Sequence, residues 1–185
     1  LPIPFTEEAV DYVAARIQQA QDILGQRIAI ENSSYYCAPQ QEMTESEFIN
    51  AVIKKADCAL LLDVNNIYVN SINHNYDPYE FLSSLPGERT AYIHIAGHYK
   101  EAEDLRVDTH GAPVIASVWD LLDKTYELFG VKPTLLERDF NIPDLSVLCA
   151  ELNQVKALQN AASASPVAWA RNPESTARTF PAKRG

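Results

Sequence analysis

Four residues whose side chains commonly bind metal ions each end a short apolar segment of the sequence. They are Glu31, Asp63, His94 and Glu137. Each segment is typical of a buried strand, and the carboxyl ends of parallel strands line the active sites of α/β proteins. A charged side chain partly removed from water there is costly unless it is paired or binds a metal ion. The pattern therefore predicts that these four side chains converge in one metal-binding pocket.

A second pair of candidate ligands lies further along the chain. Asp108 and His110 are two residues apart, so both side chains point the same way where the backbone is extended. All six candidates together carry a charge of about −4, which two or three divalent ions would neutralise, and mixed imidazole and carboxylate ligands suit iron, manganese or zinc. Taken singly, each residue could equally cap a helix, form an ion pair or belong to a turn.

Neighbouring residues are weaker candidates for the same pocket. Asn65 and Asn66 could orient the ligands or offer a side-chain oxygen to a metal ion, but Asn is also a common turn residue. His98 is a candidate for catalysis or for support of the ligands. Arg138 and Asp139 could bind substrate or pair with each other.

Two further residues have ordinary structural interpretations. His74 lies in a segment rich in Asn and Asp, which favours a loop role. Cys37 follows Glu31 by six residues, and a small buried thiol is its favoured interpretation. The chain has three cysteines and no Cys-x-x-Cys motif. Neither a disulfide framework nor a zinc ribbon is therefore expected, and a reducing cytoplasm fits the chain.

The elements that must position these residues alternate between strand and helix. Apolar residues recur with helical spacing between the strands, and Thr44 with Glu47 forms a capping box at one helix start. Strands are predicted at 27–31, 58–63, 90–94 and 133–137, with a polar loop at 98–113. This pattern predicts an α/β protein with a parallel sheet covered on both faces, either doubly wound or a (β/α) barrel. No glycine-rich phosphate motif follows a strand, which disfavours nucleotide binding.

Composition narrows the class of protein further. The chain has 185 residues, a net charge of −10 and 46% hydrophobic residues, which suits one acidic globular domain. The acidic balance argues against nucleic-acid binding, and no apolar run approaches the roughly 20 residues of a membrane helix. The chain lacks an initiator Met and a signal peptide, so we expect it to begin inside a larger gene product. Residues 161–185 form an Ala/Ser/Pro-rich basic tail, predicted to be loop or disordered.

Five motifs occur in an order that resembles the multinuclear non-haem iron-dependent oxidative enzymes. That family includes the methanobactin-biosynthesis oxidase and many bacterial proteins long labelled uncharacterised. The similarity runs from residue 1 to about 155, and no single motif is specific on its own. The motifs are Glu31–Tyr36, Leu61–Val69, His94–His98, Asp108–Val114 with Trp119, and Glu137–Asp139 with Asn141–Pro143.

The resemblance implies a TIM barrel with two or three irons at its mouth. It also implies O2-dependent oxidation of cysteine or other residues in a ribosomally made precursor peptide, often presented by a partner protein. By motif, Glu31 would bridge irons. Asp63, His94 and Glu137 would complete the central pair, and Asp108 and His110, with Asn65, would hold a further iron.

One departure from the family pattern concerns length. A TIM barrel takes about 250 residues, so 1–160 would be the C-terminal half, with about four βα units and without the first half of the barrel. We therefore expect a truncated, incomplete enzyme. Two other functions stay open: a redox-neutral barrel enzyme of the sugar isomerase or hydrolase type that uses Mn or Zn as a Lewis acid, and a non-catalytic metal-binding domain.

Overall fold

A computed structural model describes residues 3–164, and helices separate the four strands predicted from the sequence. The helices are α1 (Glu7–Leu24), α2 (Glu45–Ala56), α3 (Val64–His74), α4 (Pro78–Ser84), α5 (Ala116–Phe129) and α6 (Leu145–Ala164), with a 3₁₀ turn at Gly87–Arg89. The strands are β1 (Ala29–Glu31), β2 (Ala59–Asp63), β3 (Thr90–Ile95), β4 (Tyr99–Ala102), β5 (Leu105–Val107) and β6 (Thr134–Leu136).

The main sheet is parallel, and its strands follow one another in chain order, β1-β2-β3-β6. A doubly wound sheet reverses its strand order at a switch point. The four described strands contain no such reversal, and this order is compatible with a fragment of a (β/α) barrel. Glu137 follows β6 directly, and its backbone N–H still donates to the Ile95 carbonyl at 2.9 Å.

Local sequence signals set the ends of the first helices. The Thr6 side chain accepts from the backbone N–H of Ala9, and Gly25 ends α1 with a left-handed φ of 65°. The capping box between Thr44 and Glu47 is present at the start of α2. These caps satisfy backbone groups that the first and last helical turns would otherwise leave without partners.

The two faces of the sheet have different surroundings. Leu60, Leu62 and Ile93 on one face are fully buried in the hydrophobic core. On the opposite face Tyr92 is 37% exposed and Leu135 is 52% exposed. The prediction that both faces are covered is therefore wrong for the part of the chain that the structure describes.

The polar segment predicted as a loop over 98–113 contains an antiparallel hairpin instead. Strands β4 and β5 pair within it. The side chain of Asn73 in α3 forms hydrogen bonds with the backbone of β5. The Asn73 amide donates to the Arg106 carbonyl at 2.9 Å and accepts from the Arg106 N–H at 2.7 Å. One side chain thus takes the place of a neighbouring strand, so this short hairpin forms without a long apolar pattern.

The last helix and the tail meet at a different place from the predicted boundary. Helix α6 continues to Ala164, so residues 161–164 are helical rather than part of the tail. The rest of the predicted tail, 165–185, lies outside the described residues. Within 3–164, no helix is both long and apolar enough to cross a membrane.

Candidate metal centre

A first group of candidate ligands brings together the ends of three neighbouring strands. Glu31, Asp63 and His94 each offer one ligand atom, and these atoms lie within 4.8 Å of one another. Asp63 and His94 are register partners in the sheet, so their side chains leave the same face. His94 Nδ1 lies 3.9 Å from Glu31 Oε1.

A second group shares one residue with the first. Asp63, His110 and Glu137 also place one ligand atom each within 4.8 Å of the others. The groups are closely linked, since Glu137 Oε2 lies 3.0 Å from His94 Nδ1 and its Oε1 lies 3.6 Å from His110 Nδ1. Asp63 therefore stands between two potential metal positions.

The two oxygens of the Asp63 carboxylate have different surroundings. Its Oδ1 accepts from the backbone N–H of Asn66 at 2.7 Å and so caps α3. Its Oδ2 is buried and has no hydrogen-bond partner among the described residues. Burial raises the pKa of Asp63 well above its usual range, and the nearby Glu31 and Asp108 add to this rise.

The first turn of α3 supports carboxylates on both sides of Asp63. The Asn65 side-chain amide donates to Asp108 Oδ1 at 2.9 Å, and the Asn66 amide donates to Glu31 Oε1 at 3.3 Å. The sequence analysis expected Asn65 and Asn66 to orient ligands or to bind a metal ion through a side-chain oxygen, and in the structure both amides donate to carboxylates. Asn66 is buried, and its side-chain Oδ1 has no hydrogen-bond partner among the described residues. Its amide contact with Glu31 links it to the centre.

The Asp108–His110 pair lies beside the second group. Asp108 Oδ1 is 2.8 Å from His110 Nε2, and the Ser34 hydroxyl donates to Asp108 Oδ2 at 2.9 Å. His110 has a left-handed φ of 50°, an unusual backbone conformation that occurs mainly where the surrounding structure enforces it. The interaction with Asp108 raises the pKa of His110 to about 9.

Burial and neighbouring charge also affect Glu31. Burial raises the pKa of Glu31, the adjacent His94 lowers it, and the like charge of Glu137 raises it again. Among these acids Asp63 is buried, Glu137 is half-buried and Glu31 is exposed, so water screens their repulsion only in part. A bound cation would relieve the repulsion that remains.

The orientation of the histidines fits metal binding better than hydrogen bonding. His94 Nδ1 and His110 Nε2 are buried and have no hydrogen-bond partner within 3–164, although carboxylate oxygens lie 3.0 and 2.8 Å away. Ligands about 2.1 Å from one metal ion lie about 3 Å from each other, so these separations suit shared coordination. The donor set of carboxylates and imidazoles suits iron, manganese or zinc.

The weaker candidates lie at different distances from the centre. Asp139 Oδ2 lies 3.2 Å from His110 Nδ1, so Asp139 reaches the centre. Arg138 does not pair with Asp139; its guanidinium donates to Glu151 of α6 at 2.7 Å. His98 is buried, and its Nδ1 lies 2.8 Å from Asn65 Oδ1. Burial, reinforced by Arg106, lowers the pKa of His98 to about 4.

Two structural interpretations made from sequence need correction. His74 is in the last turn of α3 rather than in a loop, where it stacks on Tyr35 with ring centroids 3.9 Å apart. Cys37 is exposed rather than a buried thiol, whereas Cys58 is the buried one. Neither His74 nor Cys37 belongs to the two ligand groups found among the described residues.

Comparison with known proteins assigns the chain to a family. Residues 1–160 match the family model of the RiPP precursor modification enzyme MbnB/TglH/ChrH, where a RiPP is a ribosomally made, modified peptide. The chain belongs to this family. The resemblance predicted from the sequence motifs is thereby confirmed. The MbnB/TglH/ChrH match includes every candidate ligand described above.

Close relatives carry a less specific name. A UPF0276 protein of Shewanella sediminis is 62% identical over 161 residues, which are 87% of this chain and 58% of the relative. A UPF0276 protein of Nitrosospira multiformis is 61% identical over 160 residues, 86% of this chain and 56% of the relative. The chain therefore spans somewhat more than half the length of these MbnB/TglH/ChrH-family relatives.

Proposed function

We propose that this chain is part of a multinuclear iron enzyme that uses O2 to oxidise a cysteine-containing ribosomal precursor peptide. Membership of a RiPP precursor modification family supports a peptide substrate. The observation that carries the metal part of the proposal is the position of Asp63 in both ligand groups. One buried carboxylate shared by two adjacent sets of ligands is the arrangement that a multinuclear centre requires.

The proposed ligands are Glu31, Asp63, His94, Asp108, His110 and Glu137. Asn65, the further candidate from the motifs, donates its side-chain N–H to Asp108, so we assign it the support of that ligand instead. Iron bound by this set would supply one-electron and O2 chemistry, which amino acid side chains alone cannot provide. Asp63 would belong to both sets of ligands if two metal ions were bound, whereas the resemblance to the family gives the bridging role to Glu31.

Side-chain hydrogen bonds hold two of the carboxylates in place before a cation binds. Asn65 and Asn66 hold the carboxylates of Asp108 and Glu31 with side-chain N–H groups. These fixed donors limit the rotation of both carboxylates, so less conformational freedom is lost when a cation binds. Ser34 restrains the second oxygen of Asp108 in the same way.

A cavity beside His110 offers a place for the substrate. Its volume is about 420 Å³, and Thr109 and Gly111 line it on either side of His110 in the chain. Tyr99 and Phe140, which also line it, are both exposed. We propose that a side chain of the precursor peptide enters here, with the peptide delivered by a partner protein.

We further propose that full-length members of the family close this sheet into a TIM barrel. The exposed Tyr92 and Leu135 lie on the face that carries the metal centre, because Leu135 is the register partner of His94. The relatives are longer than this chain by more than a third of their own length, which would supply the remaining strands. Those strands would cover the exposed face and pair with the open edges of β1 and β6.

Anaerobic purification of a full-length family member, followed by metal analysis and oxygen-uptake measurements, tests the proposed function. We expect at least two irons per chain, and oxygen uptake with a mass change in a cysteine-rich peptide encoded beside the gene. A protein that holds only zinc or manganese and takes up no oxygen would instead support the redox-neutral alternative. A protein that holds no metal in its native state would overturn the proposal.

A further inference from the structure

A buried histidine outside the two ligand groups is linked to them through hydrogen bonds. His98 stacks on Tyr68, with ring centroids 5.1 Å apart, and its Nδ1 lies 2.8 Å from Asn65 Oδ1. Asn65 in turn contacts Asp108, whose Oδ1 lies 2.8 Å from His110 Nε2. His98 is thus two side chains away from His110, although the chain separates His98 and His110 by a complete hairpin.

The chemistry of these partners fixes the direction of each hydrogen bond. A carboxylate oxygen accepts hydrogen bonds, and Asp108 Oδ1 faces the NH₂ end of the Asn65 amide at 2.9 Å. The oxygen end of Asn65 therefore faces His98 and can only accept as well. It follows that Nδ1 of His98 carries a hydrogen and donates it to Asn65 Oδ1.

We propose that His98 is a positioning residue that orients the Asn65 amide and, through it, the carboxylate of Asp108 beside the metal centre. Without the donor on His98, the buried oxygen of Asn65 would lose its partner, and only the N–H bond to Asp108 would still hold the amide. The amide plane could then tilt, which would weaken the alignment of that bond with Asp108 Oδ1. Ser34 donates to the other oxygen, Oδ2, and does not replace this contact.

Matched substitutions separate the hydrogen bond from the packing of the ring. His98→Asn keeps an N–H donor near the place of Nδ1, whereas His98→Phe keeps an aromatic ring against Tyr68 but removes the donor. His74→Phe is the control, because His74 also stacks on a tyrosine but lies outside the ligand groups. Cobalt(II) is the probe, titrated into the 185-residue chain under anaerobic conditions and followed by its visible absorption.

Loss of a side chain that supports a metal ligand typically weakens metal binding about 10–100-fold. We expect that loss for His98→Phe, a change below about threefold for His98→Asn, and none for His74→Phe. Equal weakening in both His98 variants, or wild-type affinity in His98→Phe, would overturn the proposal. The proposal uses the proposed metal site but requires neither iron nor oxidation.

A second measurement needs neither metal nor a stable variant. Long-range ¹H–¹⁵N NMR spectra of the metal-free wild-type chain distinguish the two neutral forms of a histidine ring. We expect His98 to carry its hydrogen on Nδ1, and a ring protonated only on Nε2 would contradict the proposal. If the wild-type chain fails to bind cobalt, the proposed metal site fails, while the NMR result still decides the hydrogen bond of His98.

Discussion

Asp63 contacts the backbone of Asn66 with one carboxylate oxygen and leaves the other oxygen for the metal centre. The Oδ1 to N distance is 2.7 Å, and Oδ2 is buried without a hydrogen-bond partner among the described residues. The same side chain therefore begins helix α3 and joins the two ligand groups. Because the helix cap fixes the side chain, the free oxygen is held in place before any cation arrives.

Substitution of Asp63 by Asn should separate these two roles. The Asn side chain retains an oxygen that caps α3, since Asn and Asp are comparable caps. It places an NH₂ group where the second oxygen lay, so both metal positions should be lost. We expect Asp63→Asn to fold but to bind no metal, as measured by elemental analysis after anaerobic reconstitution with Fe(II).

Asp63→Ala is the matched variant, because it also removes the cap. We expect it to lose metal and in addition about 1 kcal/mol of unfolding free energy, measured by urea denaturation of the metal-free chain. Retention of the full metal content by Asp63→Asn would contradict the assignment of Asp63 to both groups.

Substitution of His94 by Ala should affect one metal position more than the other. His94 belongs to the group with Glu31 and Asp63, whereas the group of Asp63, His110 and Glu137 does not include it. We expect His94→Ala to hold one metal ion fewer than the wild type, with His74→Ala unchanged as the control. Complete loss of metal in His94→Ala would indicate one inseparable site, and unchanged content would remove His94 from the ligands.

The sequence pattern predicted much of this arrangement because β-strands carry a simple rule. An acid or histidine at the end of each parallel strand must lie at one edge of the sheet, which is why Glu31, Asp63 and His94 meet. Their role as ligands remains a prediction. The sequence analysis did not place a helix at α3, because Asn65 and Asn66 are typical turn residues, whereas the structure shows Asp63 capping a helix there.

Other features depended on contacts between distant parts of the chain. The hairpin β4–β5 is stabilised by the side chain of Asn73, which lies in a different element. The direction of Arg138 likewise depends on Glu151, 13 residues away in α6. Neither partner could be identified from local spacing, because a contact between residues far apart in the chain leaves no periodic pattern in the sequence.

Substitution of Gly97 should disturb the segment that carries His110. A Cβ added at Gly97 would lie 2.0 Å from the Ala112 carbonyl oxygen and 2.5 Å from that of Pro113. Both are backbone atoms just after His110, so Gly97→Ala must push this segment away. We expect a loss of about 1–3 kcal/mol in unfolding free energy, together with weaker cobalt(II) binding.

Gly25→Ala provides the comparison for Gly97. Gly25 has a φ of 65° but no atom within 4 Å of an added Cβ. We expect it to cost about 1 kcal/mol of stability through its backbone conformation alone and to leave cobalt binding unchanged. Unchanged cobalt affinity in Gly97→Ala would show that the segment of His110 tolerates the displacement.

The buried carboxylate of Glu45 should make stability depend on pH. Glu45 accepts from Asn70 at 3.1 Å and from Tyr76 at 3.3 Å, but it has no cationic partner within the described part of the chain. Burial raises its pKa from 4.5 to about 7. Between these values the folded chain holds a proton that the unfolded chain releases, so this contribution to stability falls as pH rises. The total change is at most about 3 kcal/mol.

Urea denaturation at pH 5 and at pH 7.5 measures this contribution. Glu45→Gln should lose this pH-dependent contribution, because an amide does not titrate. The unfolding free energy of the variant should therefore fall less between pH 5 and pH 7.5 than that of the wild type. Glu47→Gln is the control, because Glu47 is exposed and its pKa is lowered by its contacts with Thr44. If Glu45→Gln retains the full difference between the two pH values, another group must cause it.

The ion pair between Arg138 and Glu151 should stabilise the loop next to the metal centre without taking part in chemistry. Both side chains are largely buried, at 6% and 12% exposure, and Glu151 Oε1 also accepts from the backbone N–H of Val114 at 2.9 Å. Removing one partner of a buried pair leaves an uncompensated charge, so Arg138→Met should lose about 3 kcal/mol of unfolding free energy. The double variant Arg138→Met with Glu151→Gln should lose less than the sum of the two single losses, because it buries no unpaired charge. Urea denaturation of all four chains measures this difference, and additive losses would show that the two charges do not stabilise each other.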